Sequence, residues 1–146
     1  MTDYPEKLAR LVDSFDMVKD REERMQLLID YADKFQEVPG FIANRPFPAE
    51  NKVPFCESEV YIWLREEADQ TVRLYFAVDN PHGISAKALA AILDRTLSGL
   101  RAIEIARISP DLVYQLFRSN ISMGKGQGLM AMITMIRTKA KQLVKP

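Results

Sequence analysis

The sequence is poor in the side chains that build metal centres and covalent cross-links: its 146 residues include one cysteine and one histidine. One cysteine excludes an internal disulfide, and with one histidine it excludes a structural zinc site of ordinary ligand count. An iron–sulfur cluster held by this chain alone is also disfavoured, because such clusters normally need several thiolates. We therefore predict no bound metal, and the role of the single thiol, Cys56, becomes the main question.

An excess of one charge and long apolar runs are missing too. Twenty basic and twenty acidic residues give a net charge of zero, so binding to the phosphate backbone of nucleic acid has no electrostatic basis. No apolar run approaches the roughly 20 residues of a membrane helix, and the first residues lack the basic and apolar regions of a signal peptide. The sequence predicts a soluble, cytoplasmic protein that binds neither nucleic acid nor membrane.

Composition and length indicate a single folded unit. The hydrophobic fraction of 47% and the charged fraction of 27% are those of an ordinary globular chain. The length is close to the commonest domain size, so residues 1–146 are assigned to one domain.

Helical periodicity occupies both ends of the chain. The pattern predicts the following helices: 5–18; one from an Asp20 N-cap to Pro39-Gly40; one capped by Ser85 and ended by Gly99; about 102–108; one with Ser109 as N-cap; and, after a flexible stretch 119–126, about 127–143. The last helix is expected to bury Leu129, Met132, Ile133, Ile136 and Ala140.

Between these helices the apolar period changes to two. The runs 59–65 and 71–78 alternate aliphatic residues with aromatic and polar ones, and a polar turn joins them. This pattern predicts an antiparallel hairpin with one aliphatic face and a partly covered face carrying Tyr61, Trp63 and Tyr75. The fold class is therefore α+β: a single domain with a small antiparallel sheet built on a central hairpin, flanked by two N-terminal helices and a C-terminal helical set.

Cys56 lies between a stiff loop and the first strand. Four of the eight prolines fall in residues 39–54, which favours an irregular, extended segment. A thiol at the end of such a loop, next to a rigid sheet, is well placed for reactivity. The alternative is a small buried hydrophobe, the commonest role of a lone cysteine.

His82 and Asp79 follow the second strand. In an antiparallel hairpin that end returns beside the start of the first strand, so a Cys56–His82 nucleophile pair is geometrically possible. Exposed turn residues are the alternative for both His82 and Asp79.

The glycine-rich stretch 124–128 resembles a phosphate-binding loop only superficially. Lys125 is followed by glycine instead of serine or threonine, and no strand precedes the stretch. A hinge and helix start is the better interpretation, in which Lys125 beside free N–H groups makes an anion-friendly position.

The stretch 51–61, which reads Asn-Lys-Val-Pro-Phe-Cys-Glu-Ser-Glu-Val-Tyr, resembles the central motif of the SufE family. That motif has an asparagine, a hydrophobic–proline step, and Gly-Cys-Gln-Ser-Gln-Val before an aromatic residue. The likeness extends to Leu97-Ser98-Gly99 and to Gly128-Leu129-Met130-Ala131-Met132. This chain departs from the family at Phe55, in place of glycine, and at Glu57 and Glu59, in place of glutamines. Gly124-Lys125 also replaces the family's Ser-Arg.

The resemblance implies a sulfur acceptor of iron–sulfur cluster assembly that is not itself an enzyme. Cys56 would take persulfide sulfur from a SufS-like cysteine desulfurase, stimulate it, and pass the sulfur to an iron–sulfur scaffold. The chain would need no cofactor of its own, since the pyridoxal phosphate belongs to the desulfurase. Residues expected to support the persulfide or the partner are Lys52, Phe55, Glu57, Ser58, Asp79, His82 and Lys125.

Two other functions stay open at this stage. One is an adaptor that binds a desulfurase and whose Cys56 is inert. The other is an independent cysteine-dependent hydrolase or transferase that uses Cys56 with His82.

Overall fold

The structure, a computed structural model, describes residues 4–54, 59–79 and 83–145. Its helices are α1 (Glu6–Asp16), α2 (Arg21–Ala32), α3 (Ile84–Leu97), α4 (Ala102–Ile105), α5 (Leu112–Phe117) and α6 (Met123–Leu143). Its strands are β1 (Val60–Glu66), β2 (Thr71–Val78) and β3 (Leu100–Arg101), and short 3-10 turns cover Ala49–Asn51 and Arg118–Asn120. The predicted α+β class is confirmed, and the predicted order of six helices and two hairpin strands is found with one strand, β3, added.

The three strands form one antiparallel sheet in the order β1-β2-β3. Val60 lies opposite Val78 and Glu66 opposite Val72, as expected for the predicted hairpin. The strand β3 was not predicted, because two residues are too short for a periodic signal. Gly99, with a φ of +97°, makes the reversal that leads from α3 into β3.

The aliphatic face of the sheet and the helices share a single core. The buried strand residues include Val60, Ile62, Val72, Leu74 and Phe76. They join the apolar stripes of the helices in one cluster, and the five residues predicted as the core of the last helix are all buried. Burial of this apolar face supplies the main driving force for the fold.

The aromatic face of the sheet is covered by the proline-rich loop. Phe47 lies with its ring centroid 5.1 Å from that of Tyr61 and 5.1 Å from that of Trp63. Tilted and edge-on contacts of this kind are favourable for aromatic rings. The loop is thus part of the packed structure, and it connects α2 to the start of β1.

Several predicted helix boundaries were wrong. The second helix ends at Ala32, not at Pro39, because the Val38 N–H donates to the Phe76 carbonyl at 2.8 Å and draws the chain along β2. The third helix begins at Ile84 with Gly83 at its N-cap, so Ser85 is not the cap. The predicted helix over about 102–108 is the shorter α4, and the fifth helix has Asp111 at its N-cap in place of Ser109.

The last helix starts four residues earlier than predicted. Ser122 is its N-cap, and its hydroxyl accepts the Lys125 N–H at 3.2 Å. The stretch predicted to be flexible up to residue 126 is therefore helical from Met123. Gly126 and Gly128 are buried within α6, so close packing there outweighs the low helix propensity of glycine.

A buried guanidinium links the two N-terminal helices to α5. Arg24, on α2, is only 2% exposed. It donates to the carbonyl of Phe15 in the last turn of α1, to that of Val18 just beyond α1 at 2.8 Å, and to that of Leu116 in α5 at 2.8 Å. These carbonyls lie at or just beyond the C-terminal ends of two helices, where the amide partner of a continuing helix is missing. Burial lowers the pKa of the Arg24 side chain, and nearby Arg118 lowers it further.

None of the helices in the described ranges combines the length and the apolar character that crossing a membrane requires.

We expect Arg24→Met to destabilise the protein by about 3 kcal/mol, because it removes a charged donor from the buried carbonyls of Phe15 and Leu116. The measurement is the free energy of unfolding in urea, which is comparable between variants whose m-values agree. Arg21→Met on the exposed side of the same helix is the matched control, with an expected change of about 0.5 kcal/mol or less. Equal losses in the two variants would contradict the role assigned to Arg24.

Candidate functional site

Cys56 lies outside the described residues, as do Phe55, Glu57 and Ser58, so their predicted roles stay predictions. The chain on both sides of them is well defined. Lys52 pairs with Tyr61 in an antiparallel bridge, and the Val53 N–H donates to the Val60 carbonyl at 2.8 Å. The segment 51–53 therefore runs alongside β1, on the edge opposite β2. Pro54 and Glu59 end the described chain on either side of residues 55–58.

The buried side chain of Asn51 stabilises this edge pairing. Its side chain is 8% exposed, and its Nδ2 donates to the Ile62 carbonyl at 2.9 Å. This bond replaces a backbone bond that β1 would otherwise lack at its outer edge. Asn51 thus has a structural task within the motif that the sequence analysis recognised.

The residue that follows β2 is bonded to the residue that follows the Cys56 segment (residues 55–58). The Asp79 N–H donates to the Glu59 carbonyl at 2.8 Å, which extends the β1–β2 pairing by one residue. The predicted return of the second strand to the start of the first is confirmed for these flanking residues. His82 lies outside the described residues, so the Cys56–His82 pair stays a prediction.

Asp79 has a definite partner. Its carboxylate accepts a hydrogen bond from Arg45 of the proline-rich loop, and Arg45 also pairs with Glu37. The guanidinium stands 4.7 Å from the centroid of the Phe47 ring. Arg45 was not among the predicted site residues, since it shares no motif or spacing with Cys56.

The two predicted lysines occupy different places. Lys52 is exposed and lies 3.8 Å from the Glu59 carboxylate, so it spans the ends of the Cys56 segment. Lys125 is exposed in the first turn of α6, and it has no carboxylate partner among the described residues. The structure therefore brings Lys52, Glu59 and Asp79 together, while Lys125 stands on a separate element.

An apolar groove lies beside Pro54. It has a volume of about 690 Å³ and separates the strand-like segment from α6. One wall is formed by Glu50, Lys52 and Pro54; the other is formed by Gln127, Met130, Ala131, Thr134, Met135 and Thr138. The wall residues alternate along the segment and recur at helical spacing along α6.

The groove was missed because α6 has two apolar stripes. The stripe that contains Leu129, Met132 and Ile133 enters the core, as predicted. A second stripe, with Met130, Ala131 and Met135, is only partly buried and faces the groove. An unbranched, polarisable methionine side chain adapts to differently shaped partner surfaces. The second stripe, with its two methionines, was therefore the sequence signal that could have predicted the groove.

No group of three or more metal-ligating side chains occurs in residues 4–54, 59–79 and 83–145.

We expect Asn51→Asp to loosen the edge pairing, because a carboxylate oxygen would face the Ile62 carbonyl where a donor now stands. The loss of stability should be about 2 kcal/mol, with faster hydrogen exchange at the Val53 amide. Asn44→Asp is the matched control, since Asn44 makes a similar bond to the Gly40 carbonyl at an exposed position. Unchanged protection of Val53 in Asn51→Asp would refute this role.

Comparisons with known proteins agree with the motif. The SufE family model, described as an Fe-S metabolism associated domain, matches residues 9–140. The chain is 30% identical over 142 residues to SufE-like protein 1, chloroplastic/mitochondrial, of Arabidopsis thaliana, covering 97% of this chain and 36% of that longer protein. It is 29% identical over 140 residues to an uncharacterized SufE-like protein of Rhizobium etli, covering 92% and 89% of the two chains.

The fold has a match among solved structures. The solution structure of a hypothetical protein from Thermus thermophilus superposes with a TM-score of 0.79 at 22% identity, over 97% of this chain and 98% of that one. At this identity the likeness establishes the fold alone. The predicted cytoplasmic location stays a prediction. The family model, which covers most of the chain, establishes that this protein belongs to the SufE family, which is associated with iron–sulfur metabolism.

Proposed function

We propose that the protein is a sulfur acceptor, in which Cys56 takes persulfide sulfur from a SufS-like cysteine desulfurase and passes it to an iron–sulfur scaffold. The observation that carries the proposal is the apolar groove beside Pro54, two residues before Cys56 in a chain of the SufE family. In this proposal the protein has no catalytic turnover of its own. It speeds the desulfurase by removing its product.

The transfer needs one thiol and no external oxidant or reductant. The Cys56 thiolate attacks the outer sulfur of the desulfurase persulfide, and a new S–S bond forms on Cys56. The S–S bond within the desulfurase persulfide breaks, and the desulfurase cysteine leaves as a thiolate. One sulfur atom moves, and the number of S–S bonds is unchanged. Thiol–disulfide exchange follows the same course.

The groove suits the product of this step. A persulfide is oxidisable, and an apolar wall excludes the water and polar oxidants that would reach it in the open. Met130, Ala131 and Met135 supply such a wall. The threonines and Gln127 at the rim leave room for a partner to approach.

Lys52 gives the site an electrostatic feature. A cation near a thiol favours the thiolate, the nucleophilic form. Lys52 is exposed and lies 3.8 Å from the Glu59 carboxylate. We propose that Lys52 and Lys125 stabilise the charged forms of the Cys56 sulfur.

Sulfur uptake tests the function directly. The wild-type protein and Cys56→Ser are incubated with a cysteine desulfurase, pyridoxal phosphate and free cysteine, and their intact masses are measured. We expect the mass of one or more sulfur atoms to be added to the wild type alone and to be removed by reductant. Faster alanine release by the desulfurase should accompany it.

The absence of any sulfur on the wild type would refute the proposal. If Cys56→Ser then still bound the desulfurase, an adaptor role would replace it. Sulfur uptake by His82→Ala at the wild-type rate is expected, since the transfer needs no histidine base.

We expect Lys52→Gln to slow alkylation of Cys56 by about threefold at neutral pH and to raise the pH midpoint of the reaction, because removal of a cation raises the thiol pKa. Lys125→Gln should have a smaller effect of the same sign. Lys141→Gln, in the last turn of α6, is the control. Identical pH profiles for Lys52→Gln and Lys141→Gln would remove Lys52 from the site.

A further inference from the structure

We propose that Arg45 is a positioning residue for sulfur transfer to Cys56, an inference that rests on the function proposed above. Arg45 lies in the proline-rich loop, eleven residues before Cys56 in the sequence. It acts through other residues and not on the sulfur itself. Its contacts join the loop to the strand ends that flank the Cys56 segment.

The contacts form a compact group, the Arg45 cluster, which consists of Arg45, Glu37, Asp79 and Phe47. One guanidinium nitrogen donates to the Asp79 carboxylate and another to the Glu37 carboxylate. The face of the guanidinium lies over the Phe47 ring, at 4.7 Å from its centroid. A single planar side chain thus makes three contacts in three directions.

Each member of the cluster reaches a different part of the site. Asp79 is bonded through its N–H to the Glu59 carbonyl, directly after the Cys56 segment. Phe47 packs on Tyr61, which pairs with Lys52, directly before Val53 and Pro54. Glu37 precedes Val38, whose N–H bonds to Phe76 in β2. The cluster therefore connects the two flanks of the Cys56 segment to each other and to the hairpin.

A role in stability explains the cluster poorly. The side chains of Arg45 and Glu37 are 49% and 45% exposed, and exposed ion pairs contribute little to folding. Arg45 is charged, as arginines in proteins are, and the hydrogen bond to Asp79 raises the pKa of its side chain further. What the cluster supplies is a defined geometry, and small displacements at a reacting centre can reduce rates far more than they reduce stability.

The cluster also changes the interpretation of Asp79. Its carboxylate accepts the hydrogen bond of the Arg45 guanidinium. Asp79 thus serves as an anchor for Arg45. Asp79 directly precedes residues 80–82 in the sequence, and its N–H is bonded to Glu59, which directly follows residues 55–58. These two neighbours account for its place in the site.

The first experiment compares Arg45→Gln with the wild type in the sulfur-uptake reaction. We expect the rate at saturating desulfurase to fall roughly tenfold, while the desulfurase concentration for half-maximal rate changes less than twofold and the melting temperature falls by only a few degrees. Arg118→Gln is the matched control, because it removes an ion pair to Asp16 with side chains 40% and 48% exposed. We expect that control to keep the wild-type rate.

Two further variants separate position from charge. Removal of Arg45 alone leaves two carboxylates without their cation, and uncompensated negative charge is the alternative explanation for a slower thiol because it raises thiol pKa values. The triple variant Arg45→Gln, Glu37→Gln, Asp79→Asn removes those carboxylates as well, so the pH midpoint of Cys56 alkylation should return to the wild-type value. Sulfur uptake should stay slow in the triple variant. It should also stay slow in Arg45→Lys, because a lysine cannot make the three contacts at once.

Recovery of the wild-type rate in the triple variant or in Arg45→Lys would overturn the proposal, since charge would then explain the effect. Unchanged uptake in Arg45→Gln would overturn it too, and the sulfur-acceptor function would stand. If the wild type takes up no sulfur, the function and the inference fail together. The wild-type arm therefore distinguishes the two failures.

Discussion

The backbone hydrogen bonds between β1 and β2 place Val60 opposite Val78 and continue to the bond between Asp79 and Glu59. Because side chains alternate along a strand, this register decides which residues enter the core and which face the proline-rich loop. It also sets Glu59 and Asp79, which border residues 55–58 and 80–82 in the sequence, at one end of the hairpin. A shift by one residue would turn Tyr61 and Trp63 into the core and separate Phe47 from its partners.

Much of the fold follows from residue patterns. The change of apolar period from 3.6 to two predicts the hairpin, and the capping residue Asp20 predicts the start of α2, where its side chain accepts the Glu23 N–H. The errors arise where long-range packing opposes local preference. Glycine discourages a helix, yet Gly126 lies within α6, whose start at Met123 was not predicted for that reason. β3 pairs only because α3 ends beside β2.

The site was predictable only in part. The motif around Cys56 identified the family, and the hairpin predicted that Asp79 would come near the start of β1. Arg45 carries no such signal, because its partners Glu37 and Asp79 are brought together by the path of the loop in space. The groove likewise depends on which face of α6 is turned towards residues 50–54. The spacing of apolar residues along the sequence predicts only the face that enters the core.

The bonds of Arg24 have a consequence for how the molecule comes apart. They tie α1 and α2 to α5, which lies about ninety residues further along the chain, and Asn120 adds a bond to the Arg21 carbonyl. Some hydrogen bonds of the N-terminal helices are therefore made only when α5 and the turn after it are in place. We expect these helices to open together with α5 and not as an independent folding unit.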